Sequence, residues 1–171
     1  ILIDHAFCEQ KAATKCITLI LKYPDCDFLV DTLSPVVTEE WGHFQAVLKE
    51  MKKRNIQLTN KRKDEYVIQL DKCKRGGGSR YDQLMEDTLV FALIEARSAE
   101  RFKLLSEHIS DQSLSKFYYE LMIAEALHYR NFIEIAEKYN PKEKVRIRWE
   151  ELLVQEADIM KNLEVREDRF H

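Results

Sequence analysis

The sequence is poor in the residues that interrupt helices. It has only four glycines and three prolines among 171 residues, and three of the glycines are consecutive, at positions 76–78. Because glycine and proline mark the turns that a sheet-rich fold needs, their scarcity indicates long helices. The length suits a single domain, and such a domain can bury a sizeable core.

The sequence also lacks the marks of several functional classes. No apolar run approaches the roughly 18–20 residues of a membrane span, so we expect no membrane association. With a net charge of −3, any nucleic-acid site has to be a local patch. The four cysteines form no Cys-x-x-Cys pair, which indicates reduced thiols and a cytoplasmic protein. The chain does not begin with methionine, and we expect further residues upstream.

Two Glu-x-x-His motifs, Glu40 with His43 and Glu125 with His128, interrupt otherwise apolar helical stripes. Residues three apart share a face of a helix, so the carboxylate and the imidazole of each motif can reach one point. A buried carboxylate needs a partner or a metal, because its isolated burial is costly. Four-helix bundles with a two-metal site use two such motifs and one glutamate from each of two other helices.

Two further glutamates complete this pattern. Glu9 lies in the apolar stripe of the predicted first helix, and Glu95 lies in that of the third. Glu9 precedes Glu40 by 31 positions and Glu95 precedes Glu125 by 30, as expected for two similar helical hairpins. Glu100 is the reserve for Glu95, although its interval to Glu125 is only 25 positions.

These residues form a predicted ligand set for a pair of metal ions. Carboxylates and imidazoles together suit two iron or manganese ions better than zinc. An oxidase or hydroxylase follows from such a pair, but spacing alone does not separate it from iron storage or peroxide reduction. The set consists of Glu9, Glu40, His43, Glu95, Glu125 and His128.

The pattern predicts an all-α fold, a ferritin-like four-helix bundle with one long crossover and an extra C-terminal helix. One domain over residues 1–171 is expected, with helices at 1–22, 27–53, 81–108, 114–139 and 142–163. The second helix can instead start just before Pro35, with Ser34 as its N-cap. The crossover, 54–80, is rich in cations and can hold a short helix from about Asp64 to Lys74.

Several segments, some of which contain these motifs, follow the pattern of one family. They are Ile3-Asp4-His5-Ala6 with Cys8-Glu9, Glu39-Glu40 with His43-Phe44, Ile94-Glu95-Ala96-Arg97-Ser98 with Glu100-Arg101-Phe102, Phe117-Tyr118, Glu125-Ala126-Leu127-His128-Tyr129 and Arg169-Phe170-His171. In them the chain resembles the MiaE-type family of di-iron tRNA monooxygenases, over essentially its whole length. The Glu-Ala-Arg-Ser segment and the terminal Arg-Phe-His are the more specific parts.

The resemblance implies O2-dependent hydroxylation of the isopentenyl chain of 2-methylthio-isopentenyl-adenosine, beside the tRNA anticodon. It implies two non-haem irons on the predicted ligand set, and the same six residues then carry the catalysis. It also implies dioxygen as co-substrate. An external electron donor, a reductase or ferredoxin-like protein, is expected as well. The stretch 52–80, with its triple glycine, departs from the family.

If the substrate is tRNA, as the resemblance implies, the cations of the crossover can contact its phosphates, because cations supply most of the affinity for nucleic acid. The alternative is a solvated surface, and for Arg97 a salt bridge to a nearby glutamate or a place beside the metal ligands. The residues expected to contact tRNA are Lys52, Lys53, Arg54, Lys61, Arg62, Lys63, Lys74, Arg75 and Arg97.

The sequence does not exclude two other functions. One is another ferritin-like oxidoreductase, such as a rubrerythrin-like peroxide reductase or an iron-handling protein. Rubrerythrin-like proteins often carry a module with Cys-x-x-Cys pairs, which this sequence lacks. The other is a metal-free helical bundle that binds a partner, in which the glutamates and histidines are buried hydrogen-bonded pairs. A metal assay separates this last function from the others.

Overall fold

The computed structural model describes residues 1–59 and 64–163 and holds helices but no strand within them. The all-α prediction is therefore confirmed. Lys61, Arg62, Lys63 and the closing Arg169-Phe170-His171 lie outside the described residues. The helices are α1 (Leu2–Lys22), α2 (Asp27–Lys53), α3 (Glu65–Lys72), α4 (Arg80–His108), α5 (Gln112–Tyr139) and α6 (Lys142–Asn162). None of these helices is long and apolar enough to cross a membrane.

The chain divides into two compact units, one with α1 and α2 and the other with α3 to α6. In the first unit, α1 packs against α2 through apolar side chains at helical spacing. A short turn joins the two helices, and its Tyr23 and Cys26 are each only 1% exposed. The buried apolar residues of the two stripes are Leu2, Ala6, Ala13, Cys16, Leu19, Leu29, Leu33, Val36, Phe44, Val47 and Met51.

Helix α2 corrects one of the alternatives for its start. It begins at Asp27 and runs through Pro35, so it does not start just before the proline. Ser34 lies inside the helix, where its hydroxyl donates to the Val30 carbonyl at 2.6 Å, and it is not the N-cap. A proline inside a helix costs about 3 kcal/mol. Leu29 and Leu33 are fully buried before the proline, and this packing offsets the cost.

In the second unit, α4 packs against α5 and also contacts α3 and α6. Helix α4 is therefore buried on two faces, one of which joins a core cluster with α3, α5 and α6. The members of that cluster with the lowest exposure are Tyr66, Leu70, Met85, Leu89, Val90, Leu93, Ala136, Val145 and Leu152. The crossover thus contributes a helix, α3, to the core of the second unit.

The triple glycine belongs to the start of α4. Gly77 and Gly78 have φ of +81° and +78°, a region that side chains with a Cβ rarely adopt. A Cβ at Gly78 would also lie 2.7 Å from Asp82 Oδ2. Directly after this turn, Ser79 and Asp82 form a capping box, in which each side chain accepts from the other's backbone N–H.

Helix α6 is anchored by a buried ion pair. Arg148 Nε donates to Glu86 Oε1 at 2.7 Å and Arg148 Nη2 to Glu86 Oε2 at 2.8 Å. Arg148 Nη2 also donates to the Cys73 carbonyl at 2.6 Å, so one guanidinium joins α6, α4 and the end of α3. On the same helix, Val145 and Leu152 are buried, whereas Leu153 is 42% exposed.

We predict that Arg148→Met lowers the free energy of unfolding by about 3–5 kcal/mol, because it leaves Glu86 buried without its cation. Urea unfolding followed by circular dichroism measures the change. Arg146→Met on the same helix is the matched control, since Arg146 is exposed, and it should leave the midpoint unchanged. A loss in Arg148→Met as small as in the control would contradict the anchoring role of the pair.

Candidate metal centre

Helices α1 and α2 bring three of the predicted ligands together. Glu9 and Glu40 are 3% and 1% exposed, and His43 is half-buried. His43 Nδ1 lies 3.6 Å from Glu9 Oε2 and 3.7 Å from Glu40 Oε2. Each residue offers one ligand atom, and these atoms lie within 4.8 Å of one another. We call Glu9, Glu40 and His43 the first half-site.

The local sequence explains this arrangement. Glu9 shares the buried face of α1 with Ala6 and Ala13, whose small side chains leave space around the carboxylate. On α2, Glu40 follows Val36 by one turn on the buried face, and its neighbour Glu39 is exposed. The periodicity thus separates the buried glutamate from the solvated one.

Burial sets the electrostatics of the first half-site. The pKa of the Glu9 carboxyl is raised to about 8 because burial disfavours the charged form; nearby His43 lowers this value and Glu40 raises it. Two buried carboxylates at one place repel each other when both are ionised. A bound cation removes that repulsion and favours both carboxylates.

Helices α4 and α5 bring the other three predicted ligands together. Glu95, Glu125 and His128 are 3%, 2% and 1% exposed. His128 Nδ1 lies 3.5 Å from Glu125 Oε2, and one ligand atom from each of the three residues lies within 4.8 Å of the others. We call Glu95, Glu125 and His128 the second half-site.

Glu100, the reserve for Glu95, has a different environment. Its side chain is 59% exposed and accepts a hydrogen bond from Arg97 Nη1. Glu95 instead lies on the buried face of α4, beside the Glu-x-x-His motif of α5. The geometry therefore favours Glu95 as the ligand.

Each half-site offers two carboxylates and one imidazole. Whether iron fits the site depends on these donors. Oxygen and imidazole nitrogen donors without thiolate suit iron or manganese, and the carboxylates balance much of the charge of a divalent ion. The half-sites also share their small neighbour, since Ala6 and Ala92 each lie three positions before the glutamate and are fully buried. The donors therefore fit one iron per half-site.

The cations expected to bind tRNA at the end of α2 are partly paired within the protein. Lys53 Nζ and Arg54 Nη1 each lie 2.5 Å from a carboxylate oxygen of Glu50. The Lys53 hydrogen bond is the main reason that the pKa of Glu50 is lowered. Lys52 is exposed beside them. The protein thus holds this group of cations around one acid.

The later cations of the crossover also have acidic partners. Lys74 Nζ lies 2.7 Å from Asp71 Oδ1 and 3.2 Å from Asp87 Oδ1. Arg75 Nη2 lies 2.7 Å from Glu151 Oε2, although its side chain is still 63% exposed. Pairing lowers the charge that these residues can present to phosphates.

Arg97 belongs to a buried polar cluster that periodicity alone did not reveal. Arg97 Nη2 donates to Glu156 Oε1 at 2.6 Å, and the Tyr66 hydroxyl donates to the same oxygen at 3.2 Å. Arg101 lies over the Tyr66 ring, 5.6 Å from its centroid. Arg97 thus joins α4 to α3 and α6. The sequence signal for it was Glu156, an acid within the apolar stripe of the last helix.

Comparison with known proteins identifies the family of this chain. The family model described as tRNA-(MS[2]IO[6]A)-hydroxylase (MiaE) matches residues 1–171. The chain belongs to the MiaE family. It is 33% identical to a tRNA 2-(methylsulfanyl)-N(6)-isopentenyladenosine(37) hydroxylase of Pseudomonas putida, over the whole chain and 82% of that relative. The Salmonella typhimurium protein of the same name is 27% identical, over the whole chain and 79% of its own length.

A solved structure gives the fold. It is described as Protein 43 with aldehyde deformylating oxygenase activity from Synechococcus, and the match has a TM-score of 0.91 at 34% identity. The match covers 97% of this chain and 82% of that one. The ferritin-like fold predicted for this MiaE-family chain is thereby confirmed.

We predict that Glu95→Gln lowers the metal content of the purified protein, whereas Glu100→Gln leaves it unchanged. The neutral amide of glutamine lacks the negative charge with which the Glu95 carboxylate would bind a metal ion. Glu100 faces solvent, so its charge is not needed at the site. Metal analysis by mass spectrometry, with circular dichroism to check folding, measures both variants. Loss of metal in Glu100→Gln with full content in Glu95→Gln would reverse the assignment.

Proposed function

We propose that this protein is a di-iron monooxygenase that hydroxylates the isopentenyl group of 2-methylthio-isopentenyl-adenosine in tRNA. Family membership over the whole chain supports the substrate. The observation that carries the chemistry is the pair of buried half-sites, each with two carboxylates and one imidazole on neighbouring helices. The reaction adds one oxygen atom of O2 to a C–H bond and releases the other as water.

In this proposal the two half-sites together hold two iron ions through Glu9, Glu40, His43, Glu95, Glu125 and His128. When bound, the iron pair supplies the redox chemistry that activates dioxygen. The side chains fix the ions on rigid helices and balance their charge, and their burial keeps bulk water from the reaction. An external reductase or ferredoxin-like protein supplies the electrons, and the enzyme works in the cytoplasm.

The substrate base suits recognition by a protein of this kind. A base in the anticodon loop is unpaired, and proteins bind such bases by stacking and by contacts to their edges. Phosphates of the tRNA then meet the exposed cations near the end of α2, of which Lys52 and Lys53 are the most accessible candidates. We assign Arg97 to the support of α4 and not to RNA binding, because it is bound to Glu156.

A second candidate activity comes from the solved structural relative. That protein is described with aldehyde deformylating oxygenase activity, and its identity of 34% is close to that of the Pseudomonas putida hydroxylase. Both descriptions name an oxygen-using activity, so the half-sites alone do not distinguish the two substrates. An aldehyde is therefore the competing substrate in any assay of this enzyme.

We predict that iron-loaded protein with a reductant and O2 hydroxylates tRNA that carries the methylthio-isopentenyl base. His43→Ala and His128→Ala should each abolish turnover, because each removes the only imidazole of a half-site. Nucleoside mass spectrometry of digested tRNA measures the product, and His108→Ala, at an exposed position, is the matched control.

Conversion of an aldehyde without conversion of tRNA would instead support the second activity. Peroxide reduction as the main activity would support the rubrerythrin-like alternative. Full tRNA hydroxylation by His43→Ala or by His128→Ala would remove that residue from the site. A wild-type protein that binds no metal would support the metal-free bundle.

We also predict that Lys52→Glu with Lys53→Glu raises the KM for tRNA and lowers its salt dependence. Each lost phosphate contact should reduce the slope of log affinity against log salt by roughly 0.7–0.9. Lys142→Glu reverses an exposed lysine outside this cluster and is the control. Equal salt slopes in the wild type and the double variant would show that the end of α2 is not the RNA surface.

A further inference from the structure

The two half-sites have the same donor set but differ at the position one turn before the first glutamate. His5 lies four positions before Glu9, and Phe91 lies four positions before Glu95. Both are buried, with His5 at 0% and Phe91 at 5% exposure. Residues four apart are neighbours on a helix face, so each side chain lies next to its glutamate. The imidazole of His5 can donate a hydrogen bond, and the phenyl ring of Phe91 cannot.

His5 contacts one carboxylate oxygen of Glu9 and leaves the other to the first half-site. His5 Nε2 lies 2.5 Å from Glu9 Oε1, whereas Glu9 Oε2 lies 3.6 Å from His43 Nδ1. A glutamate side chain has three rotatable bonds. A hydrogen bond at one oxygen restricts them and therefore fixes the direction of the other oxygen.

Phe91 has a different role in α4. Its ring packs against Phe132, with 5.5 Å between the centroids and 35° between the planes. A phenyl ring has no hydrogen-bonding atom, so Phe91 cannot hold Glu95 as His5 holds Glu9. Glu95 has interactions of its own with other groups.

We propose that His5 is a positioning residue for Glu9 and that it makes the two half-sites unequal in metal affinity. The inference rests on the metal centre of the proposed function. When Glu9 is an ionised ligand, His5 Nε2–H donates to Oε1 and holds Oε2 toward Glu40 and His43. Loss of such outer hydrogen bonds typically weakens metal binding about 10- to 100-fold. The two ions should therefore bind in two steps, the first with the help of His5.

Manganese(II) binding to metal-free protein tests this without turnover, because the EPR signal of the free ion reports each step. His5→Phe gives α1 the residue that α4 has, and it should weaken the tighter step about 10- to 100-fold and leave the other unchanged. His5→Gln should restore the tighter step, since its amide nitrogen can take the place of Nε2. His5→Asn is too short for this and should behave like His5→Phe.

The unfolding midpoint of each metal-free variant separates positioning from packing. If His5 only fills space, the Gln and Asn variants should bind manganese alike, and this result would overturn the proposal. Equal affinities in the wild type and all variants would overturn it as well. If His5→Phe does not fold, the comparison of the Gln and Asn variants decides in the same way.

The same titration distinguishes this inference from the proposed function. A wild-type protein that binds no manganese contradicts the metal centre and, with it, the role of His5. A wild-type protein that binds two ions, with affinities that no His5 substitution changes, contradicts the role of His5 alone.

Discussion

The burial of carboxylates side by side is the constraint on which the rest of this structure depends. An ionised carboxylate removed from water costs several kcal/mol even after the protein relaxes, unless a cation compensates. Elsewhere the protein solves this with arginine, as where Arg148 binds Glu86. Glu9 and Glu125 instead lie beside imidazoles, which balance a carboxylate only when protonated. We propose that a metal ion supplies the missing charge, which would give the stability of this region and its chemistry the same cause.

The surrounding helices serve this constraint in different ways. Small residues such as Ala6 and Ala92 leave space beside the first glutamate of each half-site. Helix α4 is further held from its second face, where Arg97 and Tyr66 share the carboxylate of Glu156. The crossover therefore does more than connect two hairpins, because its helix α3 supports the helix that carries Glu95. A rigid support of this kind keeps ligand atoms in place when the ion is absent.

Local periodicity predicted those features that depend on one helix face. Glu95 could be preferred to Glu100 because its interval to Glu125 matches that from Glu9 to Glu40, and its burial agrees with this choice. Features that depend on distant partners were not predictable in this way. From the sequence alone Arg148 is expected to be a surface residue, because its partner Glu86 lies 62 positions away.

The position of Pro35 shows a similar limit. A proline typically marks the first turn of a helix, so the sequence left two starts open for α2. Leu29 and Leu33 lie on the buried face before the proline, and their packing extends the helix back to Asp27. Tertiary contacts thus overrode the local preference.

The assembly of both half-sites into one centre and the single-domain organisation stay predictions. Anomalous diffraction at the iron edge from crystals soaked anaerobically with iron(II) tests the central claim most directly. We expect iron peaks at the carboxylates and imidazoles of both half-sites. No peak at these side chains, or a single iron bound through Glu100, would contradict the account.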